Sequence, residues 1–185
     1  MLKRLAYPLA AMGLCASTAL MTATPAAALE TYEAKMRAGD SASQAAFDMF
    51  QVFGFKHLKP GQYLWRNVSE SAGPERVVIS LSDQLAYLYR GQSLVAVATI
   101  STGNDRKPTP TGIFSVLDKK TFYRSKKYDN APMPFMQRID QYGIALHGGY
   151  NPGYPASHGC IRLPVAFAKK LFAVTDIGTP VIVGA

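Results

Sequence analysis

Apolar positions follow a helical period near the N-terminus and change to a strand period farther along the chain. Six apolar residues from Ala42 to Phe53 recur at i, i+3, i+4, i+7, i+8 and i+11, which places them on one helical face. Ser41 and Gln44 have the spacing of a capping box, and Gly54 follows the last apolar position. The pattern therefore predicts a short helix that begins near Ser41, ends at Gly54 and packs on the main domain.

Beyond this helix, short apolar runs alternate with turn residues, which is typical of strands. Six runs are predicted to be strands: 77–81, 85–89, 94–101, 112–117, 143–146 and 181–183. The first three are separated by tight turns and predict a β-meander. A helix is predicted from Pro164 to about Val174, with Val165, Ala168 and Phe172 on one side. The expected fold is mainly β, with one or two short helices besides the N-terminal one.

The first 28 residues have the layout of a secretory signal peptide. Lys3 and Arg4 precede a mostly apolar run, and Ala26 and Ala28 form an A-x-A cleavage pattern. The run is short and interrupted, and no second hydrophobic span follows, so we expect no stable membrane span after cleavage. The protein is therefore predicted to be secreted, with the periplasm as its expected compartment.

Cleavage after residue 28 of 185 would leave 157 residues, enough for one domain with its own core. The predicted organisation is a signal peptide at 1–28, a helical extension at 29–75 and a main domain at 76–185. Cys15 would be removed with the signal peptide, which leaves Cys160 as the single cysteine of the mature chain. A buried structural role is common for a lone cysteine, but a free thiol is a liability in an oxidising compartment unless it is used.

The net positive charge of the mature chain equals the charge balance of one segment. Lys3 and Arg4 contribute two of the formal +8, and the remaining +6 equals the balance of eight basic and two acidic residues between Arg106 and Arg138. Much of this segment, 119–138, has no clear period, and such loops often act as lids or binding loops. We expect a solvated basic face or a cationic flap that attracts an anionic envelope polymer, and secretion argues against nucleic acid. The lysines of such a flap would be Lys119, Lys120, Lys126 and Lys127.

Candidate chemistry concentrates between His147 and Leu163, which hold two of the three histidines and the mature cysteine. A cysteine attacks as its thiolate, and a neighbouring imidazole both lowers the thiol pKa and carries the proton to a leaving amine. His147 lies at the end of a predicted strand and can approach Cys160 across a loop, so it is the favoured base. His158, two residues from Cys160, would orient the site, bind substrate or support the turn.

The neighbours of these residues fit the same chemistry. Gly159 allows a tight bend and removes a side chain where a substrate carbonyl must approach, so that the Cys160 amide can face the developing oxyanion. Gly148 would expose a carbonyl that orients the His147 ring. Arg162 suits a substrate carboxylate, because its planar fork binds one through two hydrogen bonds, although a solvent-facing arginine is the simpler alternative.

The same side chains also allow a metal site, because a cysteine with two histidines is a known catalytic zinc set. His147, His158 and Cys160 have no fourth ligand nearby in the sequence, and a catalytic zinc does not require one. From the residues alone, zinc stays an alternative to the cysteine nucleophile.

Ser157 to Leu163 reads SHGCIRL and, with HGG at His147, resembles the signature of the L,D-transpeptidase catalytic domain. Further stretches resemble landmarks of this family in the same order: Gln84–Tyr89, Ser101–Gly103, Thr109–Gly112, Met133–Phe135 and Gly178–Ile182. The resemblance extends from about Arg76 to Val183. It implies a mainly β domain, an L,D-transpeptidase-like bent β-sandwich.

The resemblance implies an enzyme that acts on peptidoglycan stem peptides and uses no metal or other cofactor. Cys160 would attack the carbonyl of the third stem residue and release D-alanine, and His147 would be the general acid and base. An amine of a second stem, which gives a 3→3 cross-link, or of an envelope protein would then resolve the thioester. Supporting and oxyanion roles fall to Gly159, His158 and Gly148, and substrate-binding roles to Arg162, Ser157 and Met133.

Two other functions stay open at this stage. An L,D-carboxypeptidase would differ only in using water to resolve the thioester, and a non-catalytic wall-binding module would not react at all. Residues 29–75 match no peptidoglycan-binding repeat, so the polymer would be bound through the main domain alone. The acceptor and the oligomeric state are not determined by these motifs.

Overall fold

The computed structural model describes residues 28–185. The predicted signal peptide, including Cys15, lies outside this part of the chain except for its last residue. The described residues form two α-helices, a 3₁₀ turn at Glu70–Ala72 and ten strands. Their bounds are α1 (Tyr32–Phe53), β1 (Tyr63–Trp65), β2 (Glu75–Ser80), β3 (Leu85–Arg90), β4 (Ser93–Thr99), β5 (Gly112–Ser115), β6 (Asp118–Lys120), β7 (Met136–Arg138), β8 (Ala145–Gly148), β9 (Ile161–Leu163), α2 (Val165–Val174) and β10 (Pro180–Gly184).

Helix α1 begins about ten residues earlier than the sequence pattern predicts. Its N-cap is Thr31, whose hydroxyl accepts the Ala34 N–H at 3.2 Å. Ser41 lies inside the helix and donates its hydroxyl to the Arg37 carbonyl at 2.8 Å, so the predicted capping box is wrong. The physical reason is that a serine in mid-helix can bond to the carbonyl four residues back instead of capping.

The buried face of α1 is a ladder of small residues that lets the helix lie close to the sheet. Its buried residues are Ala34, Ala38, Ala42, Ala45 and Met49. A Cβ on Gly184 of β10 would lie 2.4 Å from the Ala38 carbonyl oxygen, which shows how closely helix and strand approach. Phe50, which the pattern assigned to the stripe, is 44% exposed because the ladder continues through Met49. Gly54 ends the helix as predicted, with a left-handed φ of 74°.

The strands form two sheets around one apolar core. The six-stranded sheet has the order β1-β4-β3-β2-β10-β5 and the four-stranded sheet the order β6-β7-β8-β9. Strands β2, β3 and β4 are the predicted antiparallel meander, and β10 returns in parallel beside β2. Ile79 and Leu88 of the larger sheet share a core cluster with Leu146 and Ile161 of the smaller one. The prediction of a mainly β sandwich is confirmed.

Helix α2 starts after Pro164, as predicted, but buries a different face. Phe167, Ala168 and Leu171 are buried, whereas Val165 is 50% exposed. The predicted stripe is therefore correct only at Ala168. Phe172 packs instead against Phe135 outside the main core, with ring centroids 6.0 Å apart.

The segment 119–138 is more regular than its sequence indicates. Its ends belong to β6 and β7, which pair with each other at the edge of the smaller sheet. The loop between them, 121–135, continues this pairing, since the Met133 N–H donates to the Tyr123 carbonyl at 2.9 Å. The expectation of a loop over 119–138 is therefore wrong at both ends. The strands there were not predicted because three residues are too few to show a period. No helix within residues 28–185 is long and apolar enough to cross a membrane.

Candidate active site

Two neighbouring parallel strands bring His147 and Cys160 to one face of the smaller sheet. Strand β8 pairs with β9 so that Leu146 lies opposite Ile161 and His147 opposite Arg162, and Cys160 comes directly before β9. Because side chains alternate between the faces of a strand, Leu146 and Ile161 enter the core. His147, Cys160 and Arg162 line a cavity of about 840 Å³ on the other side.

His147 is held in a defined orientation by its own neighbour. Its ring is only 7% exposed, and Nδ1 lies 2.9 Å from the Gly148 carbonyl oxygen, as predicted from the sequence. A carbonyl oxygen only accepts, so Nδ1 carries the proton and Nε2 is the nitrogen able to take one. Burial lowers the pKa of His147; the hydrogen bond to Gly148 opposes this effect, and the charge of Arg162 adds to it. The surroundings therefore favour the neutral imidazole.

Cys160 is half-buried and lies in an environment that favours the thiol. Burial raises its pKa above that of an ordinary cysteine, a backbone hydrogen bond with Ala145 lowers it, and the charges of Asp140 and Arg162 act in opposite directions. Its Sγ lies 3.7 Å from the Gly143 carbonyl oxygen. Burial thus disfavours the charged form of both Cys160 and His147.

Asp140 shapes the turn that delivers β8, a role that the sequence analysis missed. Its buried Oδ1 accepts the N–H groups of Tyr142, Gly143 and Ile144 at 2.9, 2.7 and 2.7 Å. This turn presents the Gly143 carbonyl to Cys160. An aspartate three residues before a glycine is a recognisable turn signal, so Asp140 was within reach of sequence reasoning.

The loop before Cys160 is held by hydrogen bonds that one of its own side chains makes. Ser157 is buried, donates its hydroxyl to the Cys160 carbonyl at 2.5 Å and accepts the Gly159 N–H at 3.1 Å. Gly159 has a φ of 108°, and a Cβ there would lie 2.6 Å from Cδ1 of Ile144, so both conformation and space require glycine. Ser157 therefore supports the loop, and its contact with substrate stays a prediction.

A second segment ties this loop to the body of the domain. Thr109 donates its hydroxyl to the Gly159 carbonyl and accepts the Gly103 N–H, both at 2.8 Å. Ser101 and Arg162 exchange two backbone hydrogen bonds of 2.9 Å each. A threonine hydroxyl does not by itself point to this role, and only the family resemblance drew attention to the stretch that contains Thr109.

His158 lines the same cavity as His147 and Cys160, but its ring packs on an aromatic side chain. Its exposed ring stacks on Tyr128, with centroids 4.7 Å apart and planes 11° from parallel. No three His, Cys, Asp or Glu side chains within residues 28–185 are grouped so that they could hold a metal ion. His147, His158 and Cys160 are therefore not gathered as a zinc site, and the supporting role of His158 stays a prediction.

Met133 and the basic residues complete the cavity wall. Met133 is buried in a small apolar cluster that Cys160 packs against. The basic residues that line the cavity are Lys107, Lys126, Lys127 and Arg162.

Two of the predicted flap lysines bond elsewhere. Lys119 donates to the carbonyls of Phe172 and Thr175 at the end of α2, and Lys120 pairs with Asp118 at 3.4 Å. The flap prediction is wrong for these two lysines, because both lie in β6, bond elsewhere and do not line the cavity.

The fold is a β-sandwich, and one cavity holds a thiol and an oriented imidazole. This combination is typical of enzymes that use a cysteine nucleophile for acyl transfer. Residues 74–183 match the YkuD family model, described as the L,D-transpeptidase catalytic domain. The chain belongs to this family. Comparison with curated proteins gave no match.

Solved L,D-transpeptidases have the same fold. An L,D-transpeptidase from Mycobacterium smegmatis is 20% identical with a TM-score of 0.56, and the match covers 60% of this chain and 58% of that one. One from Mycobacterium tuberculosis H37Rv is 25% identical with a TM-score of 0.56, covering 59% and 57%. L,D-transpeptidase 3 from M. tuberculosis, in complex with a faropenem-derived adduct, is 23% identical with a TM-score of 0.55, covering 60% of each chain. The chain thus spans less than two thirds of the length of each.

Proposed function

We propose that the protein is a secreted L,D-transpeptidase that acts on peptidoglycan stem peptides in the periplasm, after removal of residues 1–28. Cys160 is the nucleophile and His147 the general acid and base. The observation that carries this proposal is the hydrogen bond of 2.9 Å between His147 Nδ1 and the Gly148 carbonyl, which leaves Nε2 as the proton acceptor in the cavity that Cys160 also lines.

In the proposed mechanism, acylation begins from a neutral thiol and a neutral imidazole, the forms that burial favours. As the Cys160 sulfur attacks the carbonyl carbon of the third stem residue, Nε2 of His147 takes the thiol proton. The tetrahedral oxyanion is stabilised by the backbone N–H of Cys160, with Gly159 leaving space for the carbonyl. His147 then returns the proton to the nitrogen of the leaving D-alanine, which gives a thioester and a free amino acid.

Transfer reverses this sequence with a new amine. An acceptor amine, from a second stem or an envelope protein, loses its proton to His147 as it attacks the thioester carbon. The Cys160 sulfur leaves as a thiol after taking that proton, and an amide bond joins donor and acceptor. With a stem as acceptor the product is a 3→3 cross-link, and with water in place of the amine the product is a tripeptide.

The test is product analysis after incubation of the processed protein with a disaccharide tetrapeptide. Cross-linked dimers with release of D-alanine are the expected result, because transfer needs a second stem amine. Tripeptide as the only product would replace the proposal with an L,D-carboxypeptidase. Faropenem serves as a probe of the nucleophile, since a relative in the family carries an adduct derived from it. A folded protein with neither adduct nor turnover would be a wall-binding module.

The pH dependence follows from the two shifted pKa values. The raised pKa of Cys160 predicts slow alkylation by iodoacetamide at pH 7 and a midpoint above the value of about 8.5 for a free cysteine. The lowered pKa of His147 predicts that kcat/KM stays high as the pH falls and declines only below about 6.5, where the base becomes protonated.

The alkylation rate of Cys160 is measured by mass spectrometry between pH 5 and 10. His147→Gln is the control, and it is expected to keep the high midpoint because burial, rather than the imidazole, sets it. Fast alkylation that is independent of pH between 6 and 8 would contradict the neutral pair and indicate a thiolate and imidazolium at rest.

A further inference from the structure

The cavity is lined by cations without a matching anion. No aspartate or glutamate is among its lining residues. Within residues 28–185 the side-chain ion pairs are Arg90 with Glu75 and Lys120 with Asp118, so Lys107, Lys126 and Lys127 have no carboxylate partner there. All three are exposed and remain available to a ligand.

An aromatic ring holds two of these lysines beside the loop that carries Cys160. Lys107 Nζ lies 3.2 Å from the Tyr128 hydroxyl and 5.1 Å from the centroid of its ring, and Lys127 Nζ lies 5.8 Å from the same centroid. The Tyr128 ring also stacks on His158, two residues before Cys160. Contacts with a ring limit the positions of a flexible ammonium group, so the charges are kept near the candidate nucleophile.

Of the five other cations between Arg106 and Arg138, all except the exposed Arg106 have structural partners. Lys119 bonds to the end of α2 and Lys120 to Asp118, as described above. Arg124 donates to the Asn130 carbonyl at 3.0 Å, and Arg138 to the Asp140 carbonyl at 2.8 Å. Three of the four cations of this segment without such a partner, Lys107, Lys126 and Lys127, therefore line the cavity.

We propose that Lys107, Lys126 and Lys127, here called the lysine rim, recognise a side-chain carboxylate of the donor stem and make the enzyme selective for stems in which that group is not amidated. This inference rests on the proposed function and specifies its substrate class. A carboxylate entering the cavity meets the three charges of the lysine rim and that of Arg162 but no acidic side chain, whereas an amide in the same place gains no Coulomb attraction. The terminal carboxylate of D-alanine is present in both kinds of stem, so the preference reports on a second carboxylate.

The experiment compares two tetrapeptide donors that differ only in amidation of the side-chain carboxylate of a diaminodicarboxylic acid at the third position. For the unmodified protein, kcat/KM for D-alanine release is expected to be roughly tenfold higher with the free carboxylate, mainly through KM. The triple variant Lys107→Gln, Lys126→Gln, Lys127→Gln is expected to reduce this ratio to within about twofold. Circular dichroism verifies that the variant is folded.

A matched variant distinguishes the effect of the lysine rim from the effect of net charge. Lys35→Gln, Lys56→Gln and Lys59→Gln together remove the same charge from exposed positions that do not line the cavity, and this variant should keep the tenfold ratio. Equal turnover of both donors by the unmodified protein, or loss of the ratio in the matched variant, would contradict recognition by the lysine rim. Neither result would contradict the proposed function. Absence of turnover with both donors would contradict the proposed function, and the rim with it.

Discussion

Replacing Cys160 by alanine is expected to reduce D-alanine release from a tetrapeptide donor by roughly 10⁴-fold or more, because no other side chain in the cavity replaces the thiolate as a nucleophile. The thioester intermediate should disappear as well, since its sulfur comes from Cys160. D-alanine release is measured by a coupled assay, and the acyl-enzyme by intact mass spectrometry of the protein quenched in acid.

The control for this variant is its stability. Cys160 packs against the apolar cluster of Met133, Met136 and Ala145, and loss of one sulfur there is expected to cost about 1 kcal/mol of unfolding free energy. The variant should therefore remain folded and still bind the donor. An alanine variant that releases D-alanine at more than one hundredth of the original rate would remove Cys160 from the mechanism.

Replacing His147 by glutamine is expected to lower kcat by roughly 10² to 10⁴-fold, the usual contribution of a positioned general acid and base. Glutamine is close to histidine in size, and its amide can still donate to the Gly148 carbonyl, but it cannot exchange a proton at neutral pH. Steady-state kinetics with the tetrapeptide donor measure the loss, and KM should change much less than kcat because the cavity keeps its shape.

The matched variant is His158→Phe, which keeps a ring able to stack on Tyr128. We expect it to retain activity within about fivefold, because phenylalanine keeps the stacking that the exposed His158 ring makes on Tyr128. Full activity of His147→Gln together with inactivity of His158→Phe would assign the base to His158 instead. Partial loss in both variants would require two histidines in proton transfer.

The ends and faces of the helices show where sequence patterns mislead. The start of α1 was assigned to Ser41 because its spacing to Gln44 fits a capping box, yet Thr31 is the cap. Ala34 and Ala38 lie between them and are buried, and the small alanine side chain allows the helix to lie against a strand at the distance seen for Gly184. Local spacing identified a helix, but packing decided its length.

The residues between Arg106 and Arg138 show that a charge pattern, too, does not predict which side chains reach the site. The eight basic residues of this segment were equivalent in the sequence, because a count carries no direction. Strand β6 points Lys119 toward the end of α2, whereas Lys126 and Lys127 lie in the loop that borders the cavity. The difference depends on a pairing of three residues with β7, which is too short to be read from hydrophobic period.

The sequence by itself determined the mainly β fold, the meander and the family, because strand period, turn residues and ordered motifs are local properties of the chain. It also indicated that the Gly148 carbonyl would orient the His147 ring. Only the tertiary structure decided that His158 stacks on Tyr128, that Thr109 and Asp140 hold the two edges of the site, and which lysines face the cavity. These contacts join residues from separate segments, and their formation depends on how the two sheets and their loops pack together.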